Sequence, residues 1–232
     1  MAIKSSIYQN GEYLKNNPDW HSEDSPWKAK KILQILIKNN IKPGTVCEIG
    51  CGAGGILKHM HSVLENVEFT GYEISRDAFE FCKTFQAERL NFKFGDLLVD
   101  NNSDHYDLIL CCDVFEHVED HFKFLRGIKD KAQFSIFLIP LELSVISLLF
   151  GSRLMNSRKQ FGHIHYFSKE TALATLKETG FLIVDYSYTN RTFECHVDFS
   201  KRILNIFRRV LNFNKDFSVR VLGGEHLLVL AK

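Results

Sequence analysis

Very little in this chain is in excess. Its 29 lysines and arginines face 28 aspartates and glutamates, a net charge of +1 over 232 residues. So close a balance excludes a global field that would recruit nucleic acid or a membrane. The 6 cysteines show no metal-ligand spacing; Cys47, Cys111 and Cys112 fall in runs that read as buried strands, and Cys51 lies in a glycine loop. That usage excludes a disulfide framework and makes a reducing cytoplasm the expected location. The opening Met1-Ala2-Ile3-Lys4-Ser5-Ser6 carries no apolar signal region. The most apolar window, Ile136 to Phe150, is broken by Pro140 and Glu142 and is too short for a transmembrane segment. Repeats and low-complexity segments are missing too, and the length suits a single domain over 1–232 with a sizeable core.

What the chain does have is Val46-Cys47-Glu48-Ile49-Gly50-Cys51-Gly52-Ala53-Gly54-Gly55. A short apolar run meets an acid and then glycine at every second position, which reads as a buried strand turning sharply into a helix. Glycine tolerates the positive φ of such a turn and lets backbone N–H groups approach a ligand. Loops of this kind, at the carboxyl end of a first parallel strand, hold nucleotide-like cofactors. The spacing departs from the dinucleotide pattern G-x-G-x-x-G. An acid at Glu48, two residues before Gly50, suits a cofactor with a cationic amino-acid end better than a pyrophosphate. One β-α-β step later Val67-Glu68-Phe69-Thr70-Gly71-Tyr72-Glu73 is a strand ending on an acid, where a carboxylate can bind both ribose hydroxyls.

These residues resemble the class I S-adenosylmethionine-dependent methyltransferases, in particular the small-molecule group that includes the ubiquinone-biosynthesis type. The resemblance covers roughly Ile41 to Gly180 and the last strand. It implies an α/β fold: a doubly wound, Rossmann-like, seven-stranded and mostly parallel sheet, the last strand antiparallel, with helices on both faces. It also implies S-adenosyl-L-methionine as cofactor and S-adenosyl-L-homocysteine as product. In the resemblance Glu48 supports the turn and approaches the methionine amino group, and the backbone at Gly50, Gly52 and Gly54 wraps the methionine end. Glu73 holds the ribose diol, Ile74 lies on the adenine, Asp96 accepts from the adenine amino group, and the Leu97 N–H meets the ring. Asp113 closes the methionine side at the end of strand four. Two of these residues have a local alternative: Asp96 as an ordinary Gly-Asp turn, Asp113 as a helix N-cap.

Periodicity fills in the β-α alternation. Helices are expected over Lys28–Asn39, Ile56–Leu64, Asp77–Glu88, Asp120–Ile128 and Thr171–Thr179, and strands at Asn91–Leu97, Tyr106–Cys112, Gln133–Ile139 (stopped by Pro140), Phe181–Tyr188 and Glu225–Ala231. Residues 1–27 are polar with Tyr8, Tyr13, Trp20 and Trp27, and Pro18 and Pro26 break any long helix; the segment folds back as packing or as a lid. Segments 141–167 and 191–224 are substrate-side or surface insertions. Within the second, residues 199–211 alternate apolar and basic residues as an amphipathic helix, which serves as a surface cover, a substrate cap, a dimer contact or a peripheral membrane contact.

Methyl transfer needs alignment and, for a hydroxyl acceptor, removal of a proton. His117, beside Glu116 after strand four, and His165, in Phe161-Gly162-His163-Ile164-His165-Tyr166, are the catalytic candidates, His165 slightly ahead, the alternatives being that Glu116 and His117 only order the loop and that His165 satisfies loop backbone groups; in an extended segment His163 and His165 share one face. Asp113-x-x-Glu116-His117 also resembles a divalent-ion segment of the ubiquinone O-methyltransferases, but a protein metal site needs more ligands than the sequence places, so none is expected. The acceptor expected is a small molecule offering oxygen or nitrogen to a monomer or homodimer. Nucleic acid is not expected: no basic and aromatic stacking platform is present, and no N-P-P-Y signature follows strand four. The alternatives are an NAD(P)-dependent oxidoreductase, for which no Tyr-x-x-x-Lys pair is found, and a cofactor-binding partner subunit without turnover.

Overall fold

The computed structural model describes residues 12–17, 20, 22–99, 104–189 and 214–232; the helix expected over 199–211 lies outside them. Seven strands form one sheet: β1 Thr45–Ile49, β2 Glu68–Glu73, β3 Leu90–Phe94, β4 Tyr106–Cys112, β5 Ala132–Leu141, β6 Ile183–Thr189 and β7 Glu225–Ala231. Their order is β3-β2-β1-β4-β5-β7-β6. β7 runs antiparallel to both β5 and β6, and the other pairs are parallel. The expected architecture is therefore the one observed.

β4 shows why the sheet is central. Leu108 and Leu110 enter one core, Ile109 and Cys111 the other, and all four are fully buried. A strand covered on both faces reads as a continuous apolar run. On one side Leu108 and Leu110 meet Ile32 and Leu36 of α2 (Ser25–Lys38) and Leu57 of α3 (Gly55–His61). On the other, Ile109 and Cys111 meet Leu125 of α5 (His121–Lys129) and Leu176 of α8 (Lys169–Glu178). The remaining helices among the described residues are α1 Glu12–Asn16, α4 Arg76–Cys82, α6 Val145–Leu149, α7 Ser152–Gln160 and α9 Lys215–Leu222.

Three boundaries correct the sequence reading. α2 starts at Ser25 rather than at Lys28, with Pro26 in its first turn, where a missing N–H costs nothing. The third expected helix ends early: α4 stops at Cys82 and a 3-10 turn takes Lys83–Phe85. Pro140 does not stop β5, which runs on to Leu141 and pairs Pro140 with His226. The Leu138 carbonyl accepts from Asp113 N at the end of β4. By the alternation of a strand, the nitrogen of Pro140 points to that same side, beyond the last β4 pair, where no ladder bond is lost.

Candidate functional site

The order of strands reverses between β1 and β4, so their carboxyl ends open a crevice at a topological switch point. Gly50, Gly52 and Gly54 line it with φ of 66°, 54° and 76°. The first two N–H groups of the loop, Gly50 and Cys51, both donate to the Tyr72 carbonyl, at 2.9 and 3.1 Å, which pins the turn against the end of β2. Glu73 closes it from the neighbouring strand: Oε2 accepts from Gly52 N at 2.8 Å and Oε1 from Ser75 N at 2.6 Å. Burial pushes the Glu73 carboxyl up in spite of those bonds, and Glu48 is pushed well above its ordinary range for the same reason, Lys28 opposing. Oε2 of Glu48 is buried with no hydrogen-bond partner. A crevice rimmed by buried acids with an unsatisfied oxygen fits a ligand that brings cationic and hydroxyl donors.

Asp113 holds φ of 55°, a left-handed conformation rare for a side chain with a Cβ. Three contacts impose it: its N–H on Leu138 O at 2.9 Å, its Oδ2 on Lys28 Nζ at 2.7 Å, and its Oδ1 facing His226 Nε2 at 3.6 Å. It is not a helix N-cap, since Asp120 caps α5 through Lys123 N. Burial works against the Asp113 charge, but Lys28 and His226 outweigh it and hold the carboxyl at about 2. Its contribution to stability is therefore present above the unfolded value of about 3.9 and is lost as pH falls through about 2. Lys28→Met is expected to cost about 3–5 kcal/mol in urea unfolding near neutral pH and to remove that acid limb.

Tyr13 on α1 lies over this corner, its hydroxyl pushed up by burial and by the Asp113 charge. Ile74 and Asp96 are half-buried and Leu97 is fully buried. One oxygen of Asp96 accepts from Leu98 N at 2.9 Å, so the local-turn alternative is also realised.

Beyond Asp113 lies a second group. Glu116 stands in a 3-10 turn, Phe115–His117, fully buried, and neither carboxylate oxygen has a hydrogen-bond partner. Its carbonyl accepts from both Ile164 N and His165 N at 3.0 Å, which joins two stretches far apart in the chain. Nε2 of His117 is 3.9 Å from Glu116 Oε1, and the His117 and His163 rings meet edge to face at 4.8 Å. His163 Nδ1 bonds Glu142 Oε2 at 2.8 Å, and Ser157 donates to the other Glu142 oxygen at 2.5 Å. Burial and then the Asp113 charge push Glu116 up to about 8. His117 is held at about 4, by burial and by His163, while Glu142 raises His163 against the cost of its burial.

The two histidine candidates part company here. His117 is in the cluster. His165 is not: its Nε2 bonds Val118 O at 3.0 Å and its ring packs, tilted by 55°, against His121 at 4.3 Å. The shared face expected for His163 and His165 is also absent, because the two rings answer to different partners. The expectation of too few metal ligands needs the same revision. The fold adds His163 to Glu116 and His117, and one ligand atom from each lies within 4.8 Å of the others, a spacing that could hold a metal ion. Lys28, Glu142, His163 and His226 are the site residues the sequence reading did not pick.

Fold and crevice together define the class I S-adenosylmethionine-dependent methyltransferase architecture. Residues 20–186 match the family model described as a methyltransferase domain, and the chain belongs to that family. The NAD(P) oxidoreductase alternative falls with this result. A curated relative, (S)-coclaurine N-methyltransferase of Thalictrum flavum subsp. glaucum, is 26% identical over 130 residues, 52% of this chain. The match spans only 36% of that protein's length. Among solved structures, the plantazolicin methyltransferase in complex with S-adenosylhomocysteine and a monoazolic desmethylPZN analogue superposes with a TM-score of 0.64 at 16% identity, covering 99% of this chain and 93% of that one. Magnesium protoporphyrin IX methyltransferase from Synechocystis PCC 6803, with bound S-adenosylhomocysteine, gives 0.59 at 17% identity, covering 94% and 85%. No helix among the described residues is long and apolar enough to cross a membrane.

Proposed function

We propose that this chain transfers the methyl group of S-adenosylmethionine to an oxygen or nitrogen of a small-molecule acceptor. The observation that carries the reading is the ring of acids, buried Glu48 and Glu73 with partly buried Asp113, around a loop of left-handed glycines at the switch point. The cofactor would supply an electrophilic methyl carbon on a sulfonium. Glu73 would take the ribose hydroxyls, Glu48 and Asp113 the ammonium end, and Ile74, Asp96 and Leu97 the adenine. Tyr13 and Lys28 close this pocket from the amino-terminal side. The acceptor would enter against Glu116, whose unpartnered oxygens suit a hydroxyl or ammonium donor and whose raised pKa suits a base near neutral pH. Glu142 holds His163 beside that carboxylate, and His117 faces it in neutral form.

Calorimetric titration of S-adenosylhomocysteine tests the cofactor half. The wild type is expected to bind in the micromolar range, and Glu73→Ala to lose about 100-fold or more, because two charge-assisted bonds go at once. No binding by the wild type would sink the reading.

A further inference from the structure

The segment after β5 is folded with its apolar side outward. In α6, Ser144 and Ser147 form a reciprocal capping box and are only 4% exposed, whereas Val145, Leu148, Leu149 and the following Phe150 are 48%, 62%, 73% and 62% exposed. α7 buries none of its residues, and Met155 on it is half exposed. An amphipathic helix on a globular protein does the reverse. Polar bonds fasten the pair, Ser157 on Glu142, Tyr166 Oη on Leu154 O at 3.0 Å, and Asn17 Nδ2 on Gln160 O at 3.2 Å, and α9 packs beside α6. The apolar crest takes no part in that attachment.

The charge beside the crest has one sign. Residues 143–162 contain Arg153, Arg158 and Lys159 and no acid, in a chain whose net charge is only +1. Those three side chains are exposed and have no ion-pair partner among the described residues, unlike Lys28, Lys169 and Arg220. A contiguous exposed apolar patch marks an interaction site, and one flanked by unpaired cations matches the boundary between lipid headgroups and acyl chains. A polyanion such as nucleic acid would leave the leucines and Phe150 in water.

We propose that α6 and α7 dock this protein on an anionic membrane surface, with Val145, Leu148, Leu149 and Phe150 entering the interface and Arg153, Arg158 and Lys159 meeting lipid phosphates. The docking does not depend on the methyl-transfer reading. It bears on that reading because Glu142, at the root of the segment, bonds both Ser157 of α7 and His163 of the acceptor cluster. An acceptor partitioned in the bilayer would thus be presented at the mouth of the crevice.

The test is co-sedimentation of the full chain with phosphatidylcholine vesicles, with and without phosphatidylglycerol. The wild type is expected to pellet with the anionic vesicles, less at high salt, and to stay largely in solution with the neutral ones. Leu148→Asp with Leu149→Asp is expected to lower partitioning on the order of tenfold or more, with melting temperature and S-adenosylhomocysteine affinity unchanged. Arg153→Glu, Arg158→Glu and Lys159→Glu together should abolish the preference for anionic lipid. Failure of the wild type to pellet overturns the proposal, as does equal pelleting of the leucine variant. Two other outcomes reassign the patch and overturn it as well. A wild-type dimer that the leucine variant splits, without vesicle binding, gives the patch to a second copy. A fall in melting temperature of that variant, again without vesicle binding, gives it to this chain's own packing.

Discussion

Turnover of a Glu116→Gln variant is expected to fall by about 10² to 10⁴, the range over which a positioned proton acceptor acts. Its affinity for S-adenosylhomocysteine should stay within about threefold, under about 1 kcal/mol. The substitution keeps the shape and removes the one property the acceptor end requires, a carboxylate able to take a proton near neutral pH. The same variant has a stability signature that reports the burial of this carboxyl, separately from its part in the chemistry. Burial and the Asp113 charge put the folded carboxyl at about 8, whereas the unfolded one releases its proton near about 4.3. Between those values the folded state holds a proton the unfolded state has lost. The contribution is therefore fully present below about pH 4.3 and is lost as pH rises through about 8. Urea unfolding at about pH 5 and about pH 9 should show the wild type losing several kcal/mol that Glu116→Gln retains, leaving the variant the more stable protein on the alkaline side. Unchanged turnover of the variant would remove Glu116 from the chemistry. Unchanged alkaline stability would mean that its burial is relieved by water.

What the sequence made legible is what neighbouring residues decide. The run Tyr106–Cys112 is β4 with the expected ends, because burial on both faces makes Leu108–Cys112 unbroken apolar sequence, while Asp107 near its start accepts from Gly44 and Thr45 N–H groups. The alternating glycines and Glu73 are in register because a turn and one β-α-β step are local geometry. The rest needed contacts that periodicity does not encode. Lys28 sits in the run Lys28-Ala29-Lys30-Lys31, which reads as a solvated helix face, and only the docking of α2 at the carboxyl edge turns one of those lysines onto Asp113. Glu142 and His163 are 21 positions apart, and His226 reaches Asp113 only because β7 returns antiparallel beside β5. His165 lies apart from that cluster for the opposite reason: the stretch around it forms no strand, so alternation does not set which way its ring faces. The window Ile136 to Phe150 is similarly two things, a buried strand and a helix with its leucines outside, and hydropathy scores both alike.

A pair of alanines in the glycine loop should separate the two things that loop does. At Gly54 the backbone is left-handed, and an added Cβ would lie 2.8 Å from Cys82 Cβ and from the edge of the Phe92 ring. Neither neighbour is the loose end of a flexible side chain; both belong to the core on the α3 side of the sheet. Gly54→Ala therefore combines about 1–2 kcal/mol of backbone strain with about 1–3 kcal/mol of overpacking. Against a total stability of about 5–15 kcal/mol, that is a loss visible in any unfolding curve. Gly52 has the same handedness at φ 54°, yet nothing lies within 4 Å of an added Cβ. Gly52→Ala should cost only the strain, about 1–2 kcal/mol, and leave the fold intact. Its methyl group would instead project into the open crevice, beside the N–H that Glu73 now holds, where a ligand's backbone-close approach requires hydrogen. The expected outcome is a folded protein whose affinity for S-adenosylhomocysteine is down about 100-fold, set against a Gly54→Ala protein whose surviving folded fraction binds almost as well as wild type. Thermal unfolding and calorimetric titration on the same two samples decide it. If Gly52→Ala binds like wild type, the space above Gly52 is not where the cofactor lies, and the assignment of the loop must move.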